Sequence, residues 1–100
     1  MDFETRAIHD GQEPDPATGS VVVPIYQTST YAQDAVGQHK GYDYSRVSNP
    51  TRTALQICLA SLESAEHGVA FASGMAAVTT VMHLVHPSER VVSVNDVYGG

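Results

Sequence analysis

Tyr44 and Arg46 stand two residues apart in the run Tyr42-Asp43-Tyr44-Ser45-Arg46-Val47-Ser48-Asn49-Pro50-Thr51-Arg52. In extended chain, alternate side chains share a face, so Tyr42, Tyr44 and Arg46 would project together. A phenol beside a guanidinium suits a phosphate dianion, one a neutral donor and the other a fork of charged donors. The plainer alternative is an exposed polar strand leading into a capped helix, and two arginines in so acidic a chain weigh against it. A second candidate is Ala72-Ser73-Gly74-Met75-Ala76-Ala77, where an apolar stretch passes through small residues into a helix. The first amides of a helix are unpaired and lie at the positive end of its dipole, which favours anions. Gly74 lets a phosphate approach the backbone, and Ala76 and Ala77 keep the first turn thin. Taken alone, this run reads more simply as a capped helix packed closely through small residues. It has neither G-x-G-x-x-G nor a Gly-Lys-Ser/Thr sequence.

The third candidate is Asp96-Val97-Tyr98-Gly99-Gly100, expected just after a strand. Ligands of open α/β sheets sit at that edge, and a tyrosine there can lie flat on an aromatic ligand. By itself, a surface-packed turn tyrosine is the simpler reading. The remaining reactive types point to little. Cys58 falls at helical spacing with Leu55, Leu59 and Leu62 and reads as a small buried hydrophobe. His83 and His86 lie near a helix end, while His9, His39 and His67 fall in loops. None of these spacings makes a zinc ligand set, and no nucleophile elbow supports a Ser–His–Asp hydrolase.

The elements that must position these groups differ between the two halves. Residues 1–48 are expected to form an extended N-terminal arm that packs against another surface. That arm holds a short helical turn at 4–9, a turn-rich stretch at 10–19 and an extended run at 21–26 whose Pro24 bars it from a central strand. Residues 49–100 are expected to open an α/β domain. Asn49 and Pro50 begin a helix that Gly68 can end. A strand at 67–72 follows, then a helix from Ser73-Gly74 to just before Pro87, and a second strand at 90–94. Helix, strand, helix, strand opens a layered fold with a mostly parallel sheet. Two strands cannot complete such a sheet, so these residues are expected to be the front part of a larger domain.

Composition narrows the partners. The chain has 100 residues, 42% hydrophobic, with a net charge of −6. Its only fixed cations are Arg6, Lys40, Arg46, Arg52 and Arg90, too few for nucleic acid or an anionic membrane surface. No apolar run approaches the roughly 20 residues that span a bilayer. The start lacks the pattern of a secretory signal, and a single cysteine forms no internal disulfide, so a cytoplasmic location is expected.

Taken together and in this order, the three candidate segments resemble the N-terminal part of one family. This is the pyridoxal-phosphate-dependent enzymes of cysteine and methionine metabolism, the family of cystathionine γ-synthase and γ-lyase. The resemblance covers nearly the whole chain: residues 14–19, 23–31, 42–52, 71–77 and 96–100. It implies a fold-type-I transferase architecture and pyridoxal 5′-phosphate as cofactor. Its chemistry would be γ-replacement or γ-elimination on sulfur amino acids such as a homoserine ester, cysteine or cystathionine. Gly74 and Met75 match positions whose amides hold the cofactor phosphate. Tyr44 and Arg46 match the pair that reaches the phosphate of the neighbouring subunit. Tyr98 matches the tyrosine that stacks on the pyridine ring and handles a proton at the substrate amine, the one catalytic residue carried over. The resemblance further implies a homodimer, usually paired into a homotetramer, with shared active sites.

One departure stands beside these matches. Such an enzyme needs a lysine to carry the cofactor and an acidic partner for the ring nitrogen. The only lysine, Lys40, lies in a loop where the family has no catalytic lysine. By themselves these 100 residues are therefore expected to be inactive, holding the phosphate-gripping parts without the covalent centre. Cystathionine β-lyase, methionine γ-lyase and O-acetylhomoserine sulfhydrylase share the same motifs. Readings of another class are a non-catalytic dimerisation fragment and a generic phosphate-binding module. The module reading leaves Tyr44, Arg46 and Tyr98 without a role.

Overall fold

Each long helix of the chain starts at a residue whose side chain can replace a missing backbone acceptor. The computed structural model describes residues 1–99, with helices α1 (Phe3–His9), α2 (Pro50–Leu62) and α3 (Gly74–Met82). Asn49 caps α2 by accepting from the Thr51 amide at 2.9 Å, and Pro50 fills the first position, where no amide hydrogen is needed. Ser73 caps α3 by accepting from the Ala76 amide at 3.1 Å. The chain divides into two compact units, Met1–Ala70 and the residues from Phe71 onward. That division falls beyond residue 48, where the sequence changes character.

In the first unit, α1 lies against α2. Arg6 extends its guanidinium to the Ser61 carbonyl, a cation at the negative end of α2. The Ser61 hydroxyl donates to the Asp10 carboxylate, and the Cys58 thiol points at the Ala7 carbonyl, 3.8 Å away. Cys58 is half-buried against α1, and Leu55 and Leu59 beside it are 50% and 46% exposed. The expected leucine face is therefore open at Leu55 and Leu59 and half-buried at Leu62. Further along, Asp15 organises the turn at 15–20: its carboxylate accepts from the Ala17 amide and the Thr18 hydroxyl, each at 3.0 Å.

The end of α2 corrects the expectation that Gly68 would stop it. Ser64 adopts a left-handed conformation, φ 53°. The Ala65 amide then donates to the Ala60 carbonyl at 2.8 Å and the Ser64 amide to the Ser61 carbonyl at 3.0 Å. This is the crossed pair of bonds that closes a helix over its last turn, formed here without the usual glycine. Gly68 serves a different purpose. A Cβ there would stand 2.5 Å from the Gln56 carbonyl oxygen, so only glycine lets this segment lie along α2. The Ala70 amide completes that seat by donating to Gln56 Oε1 at 3.0 Å.

Residues 67–72, expected as a strand, are unpaired among the described residues. Gly68 and Ala70 engage α2, and a strand needs a second strand to receive its amides. Residues 90–94 also run unpaired, with Val92 93% exposed. Among the described residues, β pairing is confined to two isolated antiparallel bridges, Thr30 with Tyr44 and Ala35 with Gln38. The parallel sheet of the sequence reading is thus not formed within them. In the second unit, α3 stops at Met82 and does not reach Val85. Leu84 and Val85 donate to Val81 and Met82 across three residues, so the apolar pattern continues in tighter turns.

Ala60 is the one buried hydrophobic residue in the described chain. The total accessible surface is 8386 Å², whereas a folded monomer of this mass shows about 5,500 Å². Val21, Val22 and Ile25 in the extended run are 76%, 68% and 84% exposed, apolar surface of the kind that is normally covered by another surface.

Candidate functional site

The Tyr44–Arg46 pair is built by a turn rather than by strand alternation. The amides of Val47 and Ser48 both donate to the Tyr44 carbonyl at 3.0 Å, folding residues 44–48 back on themselves. Arg52, from the first turn of α2, closes this turn by donating to the Val47 carbonyl at 2.7 Å. One of the two arginines of the run is therefore structural. The other is free: Arg46 donates to the Tyr44 hydroxyl at 3.2 Å, and its guanidinium carbon lies 5.1 Å from the Tyr44 ring centroid. Among the described residues no carboxylate lies within ion-pairing distance of Arg46. A planar cation beside a phenol, with its remaining donors unspent, suits a tetrahedral oxyanion. Tyr42 does not join this face. Its ring stacks on Tyr31 with centroids 5.8 Å apart.

The residues between and beside this pair form a polar latch that sequence reasoning missed. The Ser45 amide donates to the Ser29 carbonyl at 2.9 Å, and the Ser45 hydroxyl donates to the Thr28 carbonyl. The Tyr31 hydroxyl lies 3.1 Å from the same Ser45 oxygen. Asn49 Nδ2 donates to the Tyr26 carbonyl at 2.9 Å and to Ser45 Oγ at 3.0 Å. Thr51 finishes the set, donating through its hydroxyl to the Pro24 carbonyl and accepting from the Tyr26 amide, both at 2.9 Å. A signal was present in the sequence: short hydroxyl and amide side chains crowd residues 45–51, too many for solvent contact alone.

In the second unit, Ser73 satisfies the Ala76 amide and its own carbonyl receives the Ala77 amide at 3.2 Å. The amides of Gly74 and Met75 find no acceptor among the described residues. A Cβ on Gly74 would meet nothing within 4 Å, so the approach to these two amides is open. Tyr98, in the same unit, is 93% exposed and makes no hydrogen bond among the described residues. Within the first unit, the structure pairs Tyr44 with Arg46, and at the start of α3 it leaves the Gly74 and Met75 amides open together.

A cleft of about 310 Å³ near the latch is not an anion site, because its ionisable lining groups are the Glu13 and Asp15 carboxylates and the Tyr26 and Tyr42 phenols. The histidines form no metal centre, as no cluster of three potential ligands occurs among the described residues. Instead, His86 Nδ1 lies 2.8 Å from the Ser88 hydroxyl and closes a local turn.

Comparison with known proteins places the chain in a family. The pattern of the Cys/Met metabolism PLP-dependent enzymes matches residues 4–100. The chain belongs to that family. It is 61% identical over 98 residues to the probable cystathionine gamma-synthase of Herpetosiphon aurantiacus, covering 98% of this chain and 31% of that protein. Against the cystathionine beta-lyase of Coxiella burnetii the identity is 59%, covering 98% and 25%. Against the cystathionine gamma-lyase of Bacillus subtilis it is 56%, covering 100% and 26%. The chain therefore spans about a quarter to a third of the length of the curated relatives it matches. Among solved structures, the cystathionine gamma-lyase CalE6 of Micromonospora echinospora superposes with a TM-score of 0.85 at 45% identity, over 99% of this chain and 26% of that one. The metB protein of Corynebacterium glutamicum gives 0.82 at 46%, over 86% and 23%.

Pyridoxal phosphate is the cofactor of the family. The residues present fit it: an arginine without a carboxylate partner and two free amides at a helix start each suit its phosphate.

Proposed function

We propose that this chain opens a fold-type-I, pyridoxal-phosphate-dependent enzyme catalysing γ-replacement or γ-elimination on sulfur amino acids, of cystathionine γ-synthase or γ-lyase type. The observation that carries the reading is the Tyr44–Arg46 clamp, whose charge is uncompensated among the described residues. Residues 1–48 serve as an arm that embraces a second subunit, and residues 49–100 begin the cofactor domain. Exposed Val21, Val22 and Ile25 support the arm assignment. The assembly is then a homodimer or homotetramer with shared active sites, and its location is the cytoplasm.

Pyridoxal phosphate, when bound, supplies an electron sink for loss of the substrate's α proton. The amides of Gly74 and Met75 would hold the phosphate from one subunit, with the dipole of α3 behind them. Arg46 and Tyr44 would hold the neighbouring subunit's phosphate. Tyr98 would lie against the cofactor ring and would move a proton at the substrate amine nitrogen. Lys40 has no part in this chemistry, and the lysine that carries the cofactor is supplied outside these residues.

Relatives named γ-synthase, β-lyase and γ-lyase match at 61%, 59% and 56%, so identity alone does not divide the activities. The γ reading is separated from β-lyase by assaying the native protein for turnover of a homoserine ester with cysteine. Tyr98→Phe in that protein is expected to lower kcat by about a hundredfold, the usual weight of a positioned proton-transfer group. Unchanged turnover in Tyr98→Phe overturns the assigned role, and activity on cystathionine only by β-elimination overturns the γ assignment.

A further inference from the structure

We propose that Ser45 and Asn49 are positioning residues for the Tyr44–Arg46 clamp, coupling its grip on the cofactor phosphate to the seating of the arm at residues 24–31. This inference rests on the assignment of the clamp to phosphate. Ser45 lies between the two clamp residues in sequence, and its side chain is pinned away from them. Its hydroxyl donates to the Thr28 carbonyl while accepting from Asn49 Nδ2 at 3.0 Å, and the Tyr31 hydroxyl stands 3.1 Å away. Asn49 joins three elements through one amide: Oδ1 accepts from Thr51 at the start of α2, and Nδ2 reaches both Ser45 and the Tyr26 carbonyl. The turn that carries Arg46 is therefore held to the arm and to the helix at once. Arg46 itself is exposed and its guanidinium bonds only Tyr44, so where the pair points depends on how the turn is held, by Arg52 from α2 and by this latch from the arm. A clamp pre-organised in this way loses less conformational freedom on binding.

Latch and cap are separable by substitution. Serine caps a helix about as well as asparagine and is equally neutral, but it cannot reach the Tyr26 carbonyl. Asn49→Ser thus keeps α2 while cutting the latch, and Ser45→Ala cuts it from the other side. The native protein, stripped of cofactor, is titrated with pyridoxal phosphate and with pyridoxal, which lacks the phosphate, and binding is followed by absorbance. The readout is the ratio of the two affinities, which a general loss of structure would not change selectively. Either variant is expected to lower that ratio by about tenfold. Arg46→Ala is run in parallel. If Arg46→Ala leaves the ratio unchanged, the clamp reading fails and the latch with it. If Arg46→Ala lowers the ratio while Ser45→Ala and the folded Asn49→Ser leave it unchanged, the clamp stands and the latch is refuted.

Discussion

Arg46→Ala in the native protein is expected to weaken binding of pyridoxal phosphate by about a hundredfold, or about 3 kcal/mol, while leaving the fold intact. The size follows from losing a fork of charged donors to a dianion rather than one neutral hydrogen bond. The fold is spared because the guanidinium bonds only the Tyr44 hydroxyl. The turn survives as well, since Arg52 acts on the main-chain carbonyls of residues 46 and 47, which alanine retains. Arg46→Lys should restore only part of the affinity, because an ammonium is a point charge that cannot present two parallel donors. Titration of the cofactor-free protein checks this, and equal affinity in Arg46→Ala and the parent would remove phosphate from the clamp.

Gly74→Asp should move stability and cofactor affinity in opposite directions. Position 74 is the first residue of α3, its backbone is not left-handed, and a Cβ there has open space. An acidic residue in the first helical turn stabilises by about 0.3–1 kcal/mol, and replacing glycine restricts the unfolded chain. The cofactor-free protein should therefore melt at an equal or slightly higher temperature. The same carboxylate would stand at the amides assigned to the phosphate. Like charges about 4 Å apart repel by about 4 kcal/mol at the effective dielectric of a protein surface, so affinity should fall by at least a hundredfold. A variant that melts as expected and binds cofactor normally would show that the phosphate does not sit at α3.

What the sequence made legible was local. Asn49 with Pro50, and Ser73 with Gly74, marked helix starts because capping uses only the next few amides. The turn at 15–20 was legible for the same reason, since Asp15 bonds its own neighbours. The failures needed partners distant in sequence. Residues 67–72 and 90–94 have the composition of buried strands, but a strand exists only when another receives its hydrogen bonds. Gly68 was read as a helix stop, whereas its requirement comes from the Gln56 carbonyl twelve positions earlier in the chain. In the site, residue types singled out Tyr44 and Arg46, whose side chains do meet, but alternation suggested that Tyr42 would join them. The turn at 44–48 separates them, and Tyr42 stacks on Tyr31 instead. The latch stayed hidden because its main-chain acceptors are the carbonyls of residues 24, 26, 28 and 29, groups that every residue carries.

The central claim is that these residues grip the phosphate of a cofactor whose covalent attachment lies elsewhere in the native protein. It is tested most directly by borohydride treatment of the cofactor-loaded native protein, which fixes the cofactor to the lysine that carries it, followed by peptide mapping. The account predicts a single pyridoxyl-lysine on a peptide that does not contain Lys40. A label on Lys40, or no labelled lysine at all, would contradict it.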